Sequence, residues 1–122
     1  MTKRKDIGNT GEHIAECFLK TKGFVILGKN YNKKWGEIDI IASKDGVVHF
    51  VEVKTISRET GNESIYRPEE NMYKKKIERL HRAIYSYLAE FNVTHDWQLD
   101  LVTVTLFIKD KKAECALIEN VL

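Results

Sequence analysis

The sequence predicts an α/β fold in which a central mixed sheet of five strands is flanked by helices, in the order α-β-β-β-α-β-β. Three observations lead there. Two segments repeat apolar residues at three- and four-residue steps, as a helix with one buried face requires. Five others alternate or run apolar over strand lengths. Between two of these stands Asp45-Gly46, the dipeptide best suited to a tight hairpin turn. A sheet with helices packed on it buries all of these faces at once.

The first helix is expected from Thr10 to Lys22, with Ile14, Ala15, Phe18 and Leu19 as its apolar stripe and Gly23 as its stop. At ~100° per residue, Glu12 lies within ~20° of Leu19 around the axis, so it borders the buried face. Taken alone, Glu12 reads as a first-turn acid that suits the helix dipole. Strands follow over Phe24–Tyr31, Glu37–Ala42 and Val47–Ile56. Ser57 to Arg67 has no periodicity and reads as a loop. The second helix opens on Pro68, Glu69 and Glu70, all at home in a first turn. Ile77, Leu80, Ile84, Leu88 and Phe91 then give it a buried stripe. Trp97–Ile108 and Ala113–Glu119 read as the last two strands.

The 122 residues suit a single domain spanning 1–122. No apolar run approaches the ~20 residues of a membrane span, and MTKRKDIGNTGEH lacks the apolar core of a signal peptide. A cytoplasmic protein without a membrane partner is expected. Cys17 and Cys115, each beside apolar residues, read as buried thiols. The absence of CxxC and HExxH gives no reason to expect zinc. The net charge is only +2, but Lys3-Arg4-Lys5, Lys33-Lys34 and Lys74-Lys75-Lys76 are local basic runs. Any one of them is an ordinary solvated face. Together with clustered carboxylates they point toward nucleic acid.

The hairpin supplies those carboxylates. With Asp45 and Gly46 as the turn, Lys44 faces Val47, Ile41 faces Phe50, Asp39 faces Glu52 and Glu37 faces Lys54. The last three pairs then share one sheet face. Two acids opposite one another, with Cβ atoms about 5 Å apart, repel unless they share a proton or a cation. Divalent cations take such oxygens. The plain alternative is a surface strand with an ordinary Glu37–Lys54 ion pair. Against it, the opposite face carries His49, Val51, Val53 and Thr55, so neither face is cleanly polar.

Asp39 followed by Glu52-Val53-Lys54 resembles the D…(D/E)-x-K core of the PD-(D/E)XK nucleases. The wider string is more specific. Gly11-Glu12, Gly36-Glu37-Ile38-Asp39-Ile40-Ile41-Ala42, Phe50-Val51-Glu52-Val53-Lys54 and Gln98-Leu99-Asp100-Leu101-Val102 closely resemble the YraN-like family. That family's pattern is a GE helix, GEIDLIA, FVEVK, a helix with a lysine and YL, and an FDVV-type strand. Lys76 and Tyr87-Leu88 fit the helical part. Ile38 replaces the proline of the superfamily name, and Gln98-Leu99 replace the usual Arg-Phe.

The family is similar in fold to archaeal Holliday-junction resolvases. The resemblance therefore implies a restriction-endonuclease-like domain. It further implies a metal-dependent endonuclease that hydrolyses phosphodiester bonds in DNA, including branched or junction DNA of recombination or repair. In that reading Asp39 and Glu52 bind Mg²⁺ or Mn²⁺, with the Val53 carbonyl as a further ligand. Glu12 adds a ligand or positions a water. Lys54 orients the attacking water and balances charge on the phosphate. Arg58, Arg67, Lys74, Lys75 and Lys76 would contact nucleic-acid phosphates. Junction cleavage would call for a homodimer, since two strands are cut symmetrically. A DNA-binding or protein-interaction module that keeps the fold without turnover is the alternative.

Overall fold

The computed structural model describes residues 4–58 and 74–121, the side chains of residues 4–7, 74 and 75 excepted. Its elements are α1 (Arg4–Thr21), β1 (Val25–Lys33), β2 (Gly36–Lys44), β3 (Val47–Arg58), α2 (Lys74–Glu90), β4 (Asp96–Phe107) and β5 (Lys112–Ile118). This is the predicted order. Of the loop expected from Ser57 to Arg67, Ser57 and Arg58 instead continue β3, paired with Leu106 and Phe107 of β4; the rest of it and the expected helix start at Pro68 lie outside the described residues.

The five strands form one sheet in sequential order β1-β2-β3-β4-β5. All neighbours are antiparallel except β3 and β4. A parallel pair needs a long crossover, and α2 lies in it. The β2–β3 turn behaves as its sequence demands. Asp45 (φ 51°) and Gly46 (φ 78°) both take positive φ, the geometry of a primed hairpin turn. The register that follows pairs Lys44 with Val47, Ile41 with Phe50 and Ile40 with Val51.

Each helix covers one sheet face. Ala15 and Leu19 of α1 pack with Ile40, Val51 and Val102. Leu80, Ala83, Ile84 and Tyr87 of α2 pack with Ile38, Ile41, Phe50 and Leu99. The α1 stripe matches the periodicity of the sequence, with Ile14 and Phe18 only partly buried at the margin. Of the expected α2 stripe, Leu80 and Ile84 are core, Leu88 packs partly buried against it, and Ile77 is half-buried. Phe91 departs from that stripe. Helix α2 ends at Glu90 and Asn92 reverses the chain at φ 52°, which leaves Phe91 54% exposed. The ring rests beside Tyr87 and Tyr31.

Helix α1 begins at Arg4 rather than Thr10. Gly8 and Gly11 suggest a later start, but Gly11 serves packing. A Cβ on it would lie 1.8 Å from Thr55 Oγ1, so only glycine lets α1 approach β3 this closely. Gly36 has the same role at the start of β2, where a Cβ would meet the Arg79 carbonyl oxygen at 2.4 Å.

Cys17 is exposed rather than buried, because it falls outside the stripe of α1, next to His13. Cys115 is half-buried, and burial pushes its thiol above the ordinary range. A disulfide reagent at pH 8 should therefore modify Cys17 in a fast phase and Cys115 in a slower one, followed by mass spectrometry. Equal rates would contradict this assignment. No helix among the described residues is long and apolar enough to cross a membrane.

Candidate active site

The hydrogen-bonded ladder between β2 and β3 ends at Ile40–Val51. Beyond it β2 stays with β1, through Tyr31–Ile38 and Asn32–Glu37, while β3 stays with β4. The two strands fork. Ile38 and Ile41 both pack in the α2 layer, whereas Ile40 packs in the α1 layer. Strict alternation forbids that, so β2 turns about its own axis between Ile38 and Ile41. Asp39 sits at this turn. Across from it on β1, Asn30 has a φ of 53°.

The expected cross-strand pairs beyond Ile40 are therefore replaced by a side-chain contact. Asp39 Oδ2 accepts a hydrogen bond from the Val53 N–H at 2.8 Å, taking the place of a ladder carbonyl. The expected Glu37–Lys54 facing pair does not form within the ladder, because the strands have already parted. Lys54 lies on β3, half-exposed, two residues beyond Glu52 and level with Thr103 of β4.

Four acids meet at the fork. Asp39 and Glu52 are buried, Glu12 of α1 is half-buried and Glu37 is exposed. Burial, then the charge of Glu52, pushes Asp39 up to about 8, with Glu12 and Glu37 adding and the Val53 N–H opposing. Burial, then Glu37 and Glu52, raises Glu12 above the ordinary glutamate range, while Lys29 opposes. Glu12 comes to the fork because Gly11 seats α1 on β3. Only one cation pairs directly with a member of the group, Lys76 Nζ to Glu52 Oε1 at 2.8 Å, among the described residues. Glu37 is the member that sequence reasoning left out of the site. Its signal was its place two residues before Asp39 in the GEID segment.

The donor set suits a hard divalent cation. It is all carboxylate, partly dehydrated and undercompensated. Glu12, Asp39 and Glu52 sense one another's charge without closing into a fully formed cage. Magnesium asks for no more, since it is commonly held by one or two carboxylates with waters and substrate oxygens completing its shell.

A second group, His49, Asp100 and Glu119, has donor atoms within 4.8 Å of one another. Both Asp100 oxygens are already hydrogen-bonded. Asp100 Oδ2 meets His49 Nδ1 at 2.5 Å, and Oδ1 takes hydrogen bonds from Gln98 Nε2 at 2.8 Å and Asn120 N at 3.0 Å. With the Val121 N–H donating to the Leu99 carbonyl, the network ties the C-terminal segment to β4.

Of the residues expected to contact phosphate, Lys76 lies at the acids. Arg58 ends β3, where its carbonyl accepts the Ile108 N–H at 2.9 Å. Lys74 and Lys75 open α2, but their side chains, like all of Arg67, lie outside the described residues. Two of the acids, Glu37 and Glu52, line a cleft of about 1240 Å³ whose walls also carry Lys33, Lys34, Trp35, Arg79 and Arg82. The Lys33-Lys34 run was visible in the sequence. The third-residue recurrence of Lys76, Arg79 and Arg82 along α2 was equally visible as a basic side of that helix.

Comparison with known proteins gives a single answer. The model of the uncharacterised protein family UPF0102 matches residues 11–104, a span that includes Glu12, Glu37, Asp39, Glu52 and Lys54. A UPF0102 protein of Helicobacter hepaticus is 41% identical over 114 residues, covering 93% of this chain and 92% of its own. One of Campylobacter fetus subsp. fetus is 41% identical over 97 residues, 80% of this chain and 81% of its own. One of Nitratiruptor sp. is 38% identical over 114 residues, 93% and 90% of the two chains. The chain belongs to the UPF0102, or YraN-like, family.

Proposed function

We propose that this protein is a metal-dependent endonuclease of the PD-(D/E)XK, restriction-endonuclease-like superfamily that hydrolyses phosphodiester bonds in DNA. The observation that carries this reading is the acid group at the β2–β3 fork, built on buried Asp39 and Glu52, beside a basic cleft that Glu37 and Glu52 line. Buried carboxylates that repel one another are costly without a partner, and a cation shared with a phosphate supplies one. Magnesium or manganese, when bound, polarises the scissile phosphate and neutralises the departing oxygen. Asp39 and Glu52 hold it, Asp39 with the oxygen that Val53 leaves open. Glu12 positions the attacking water from the α1 side. Lys54 orients that water and balances the charge that builds on the phosphate. Branched DNA of recombination or repair is the proposed substrate setting, with a homodimer where two strands are cut. The cytoplasm is the proposed compartment.

The test is cleavage of single-stranded, duplex and branched DNA with Mg²⁺ and with Mn²⁺. Lys54→Ala should lower the rate about 10²- to 10⁴-fold, the usual weight of a positioned proton-transfer group, and Glu52→Ala by at least as much. Cleavage that persists in both variants, or that needs no metal, would sink the proposal. One observation favours the second reading, a nuclease-like module that binds without cutting. Lys76 occupies Glu52, a proposed ligand, at 2.8 Å. That reading expects salt-sensitive DNA binding, no cleavage, and no effect of either substitution on affinity.

A further inference from the structure

The tip of the β1–β2 hairpin stands over the basic cleft. Lys33 pairs with Gly36, so Lys34 and Trp35 are the two residues of the turn. The turn is fastened to α2. Trp35 Nε1 donates to Ser86 Oγ at 3.1 Å, Ser86 Oγ donates in turn to the Arg82 carbonyl at 2.9 Å, and the Arg82 guanidinium lies over the indole at 6.0 Å. Gly36, the residue after the turn, sits directly against the backbone of Arg79. The indole is thus fixed in place, yet the residue stays 37% exposed. A tryptophan held by these contacts, in a cleft whose lining carries Lys33, Lys34, Lys76, Arg79 and Arg82 beside the acids Glu37 and Glu52, suits a ligand with both negative charge and a flat apolar face.

Phosphate and base together have those properties. In a duplex the base faces are already stacked and are closed to a protein aromatic. Only an unpaired base can use the ring while its phosphates meet neighbouring cations. The cleft, at about 1240 Å³, is larger than the ~300–1,000 Å³ of a drug-sized pocket, which favours a polymer over a mononucleotide. It also leads directly to Glu37 and Glu52, which line it.

We propose that the Lys34–Trp35 turn and the Lys76–Arg79–Arg82 side of α2 form a binding groove for single-stranded DNA, in which Trp35 stacks on an unpaired base beside the acid group. This rests on the proposed nuclease reading, and it names that site's substrate as a strand, or a branch, with unpaired nucleotides next to the cut.

The test is binding of a short oligothymidine and of a matched duplex to the full chain, without metal and with chelator, followed by tryptophan fluorescence and by anisotropy of a labelled strand. Trp97 is packed against Phe50 and Tyr85, so Trp35 is the reporting indole, and its emission should fall when the single strand binds. Trp35→Ala should weaken single-strand binding at least about fivefold, the lower edge of a lost base–aromatic stack, and duplex binding less than twofold. Trp35→Phe should retain most of the affinity, and circular dichroism should show both variants folded. Equal loss for strand and duplex, or no loss, overturns the proposal, as does a clear preference for single-stranded RNA over DNA. Metal-dependent cutting of the same oligonucleotide is scored separately. Trp35-dependent binding without cutting leaves the groove standing and removes the nuclease, whereas cutting that ignores Trp35 does the reverse.

Discussion

Asp39→Asn is expected to make the metal-free protein more stable while removing its response to divalent cations. An aspartate in an unfolded chain titrates near 3.8, and in the fold Asp39 is pushed up to about 8 by burial and by Glu52. The folded state therefore binds a proton that the unfolded state has released. Between about pH 4 and pH 8 the unfolded state binds fewer protons, so stability falls as pH rises, and above about pH 8 the loss is complete. Asparagine has nearly the same volume and keeps an oxygen for the Val53 N–H, but carries no charge. At pH 8 the gain should be of the order of 3 kcal/mol, read from urea midpoints. The wild type should lose stability across that window and the variant much less.

Metal works in the opposite direction. Ion binding to the native state stabilises it by an amount that grows with the logarithm of one plus the ratio of free ion concentration to Kd. Because the ion competes with the proton on Asp39, wild-type affinity for Mn²⁺ should rise as pH approaches 8 and then level off. A less stable Asn variant at pH 8, or unchanged Mn²⁺ stabilisation in it, would contradict the electrostatic account of the fork. The expected pattern is the familiar trade of stability for a functional site.

The second large effect is at the seat of α1. In an open helix, glycine to alanine stabilises by about 1 kcal/mol. Gly8→Ala should behave that way, since a Cβ there meets nothing within 4 Å. Gly11→Ala should do the opposite. The new Cβ would lie 1.8 Å from Thr55 Oγ1 and 2.7 Å from its Cγ2, and overpacking of this kind costs about 1–3 kcal/mol or more. Thr55→Ala removes both atoms but leaves the Thr55 Cβ, 2.8 Å away, so the double variant should recover only part of the loss. A thermal or urea double-mutant cycle measures that coupling, and strict additivity would show that the contact does not limit the approach. Glu12 is the next residue, so Gly11→Ala should also lower activity by moving the acid off the fork. Gly8→Ala should leave activity unchanged.

Much of this molecule is written in local patterns. The apolar stripes identify the helices because burial on one side needs a 3.6-residue period. Asp45-Gly46 sets the β2–β3 register because few other pairs accept positive φ twice. The family motifs carry Glu12, Asp39, Glu52 and Lys54 in order, and the structure places the first three at one fork. The end of the β2–β3 ladder was not legible, since it depends on a turn of β2 about its axis and on Asp39 replacing a ladder carbonyl. Nor were the early start of α1 and the exposure of Phe91, which follow from how closely two chain segments pack and where one reverses.

The sequence by itself determined the elements, the hairpin register and the acids available to a site, because backbone periodicity and turn conformations act over a few residues. Only the tertiary structure decided that Glu37 joins those acids, that Lys76 rather than Lys54 rests on Glu52, and that Trp35 is pinned beside α2. Those relations join residues far apart in the chain, and their energies come from burial, from charge at short range and from glycine-sized gaps that exist only once the layers are packed.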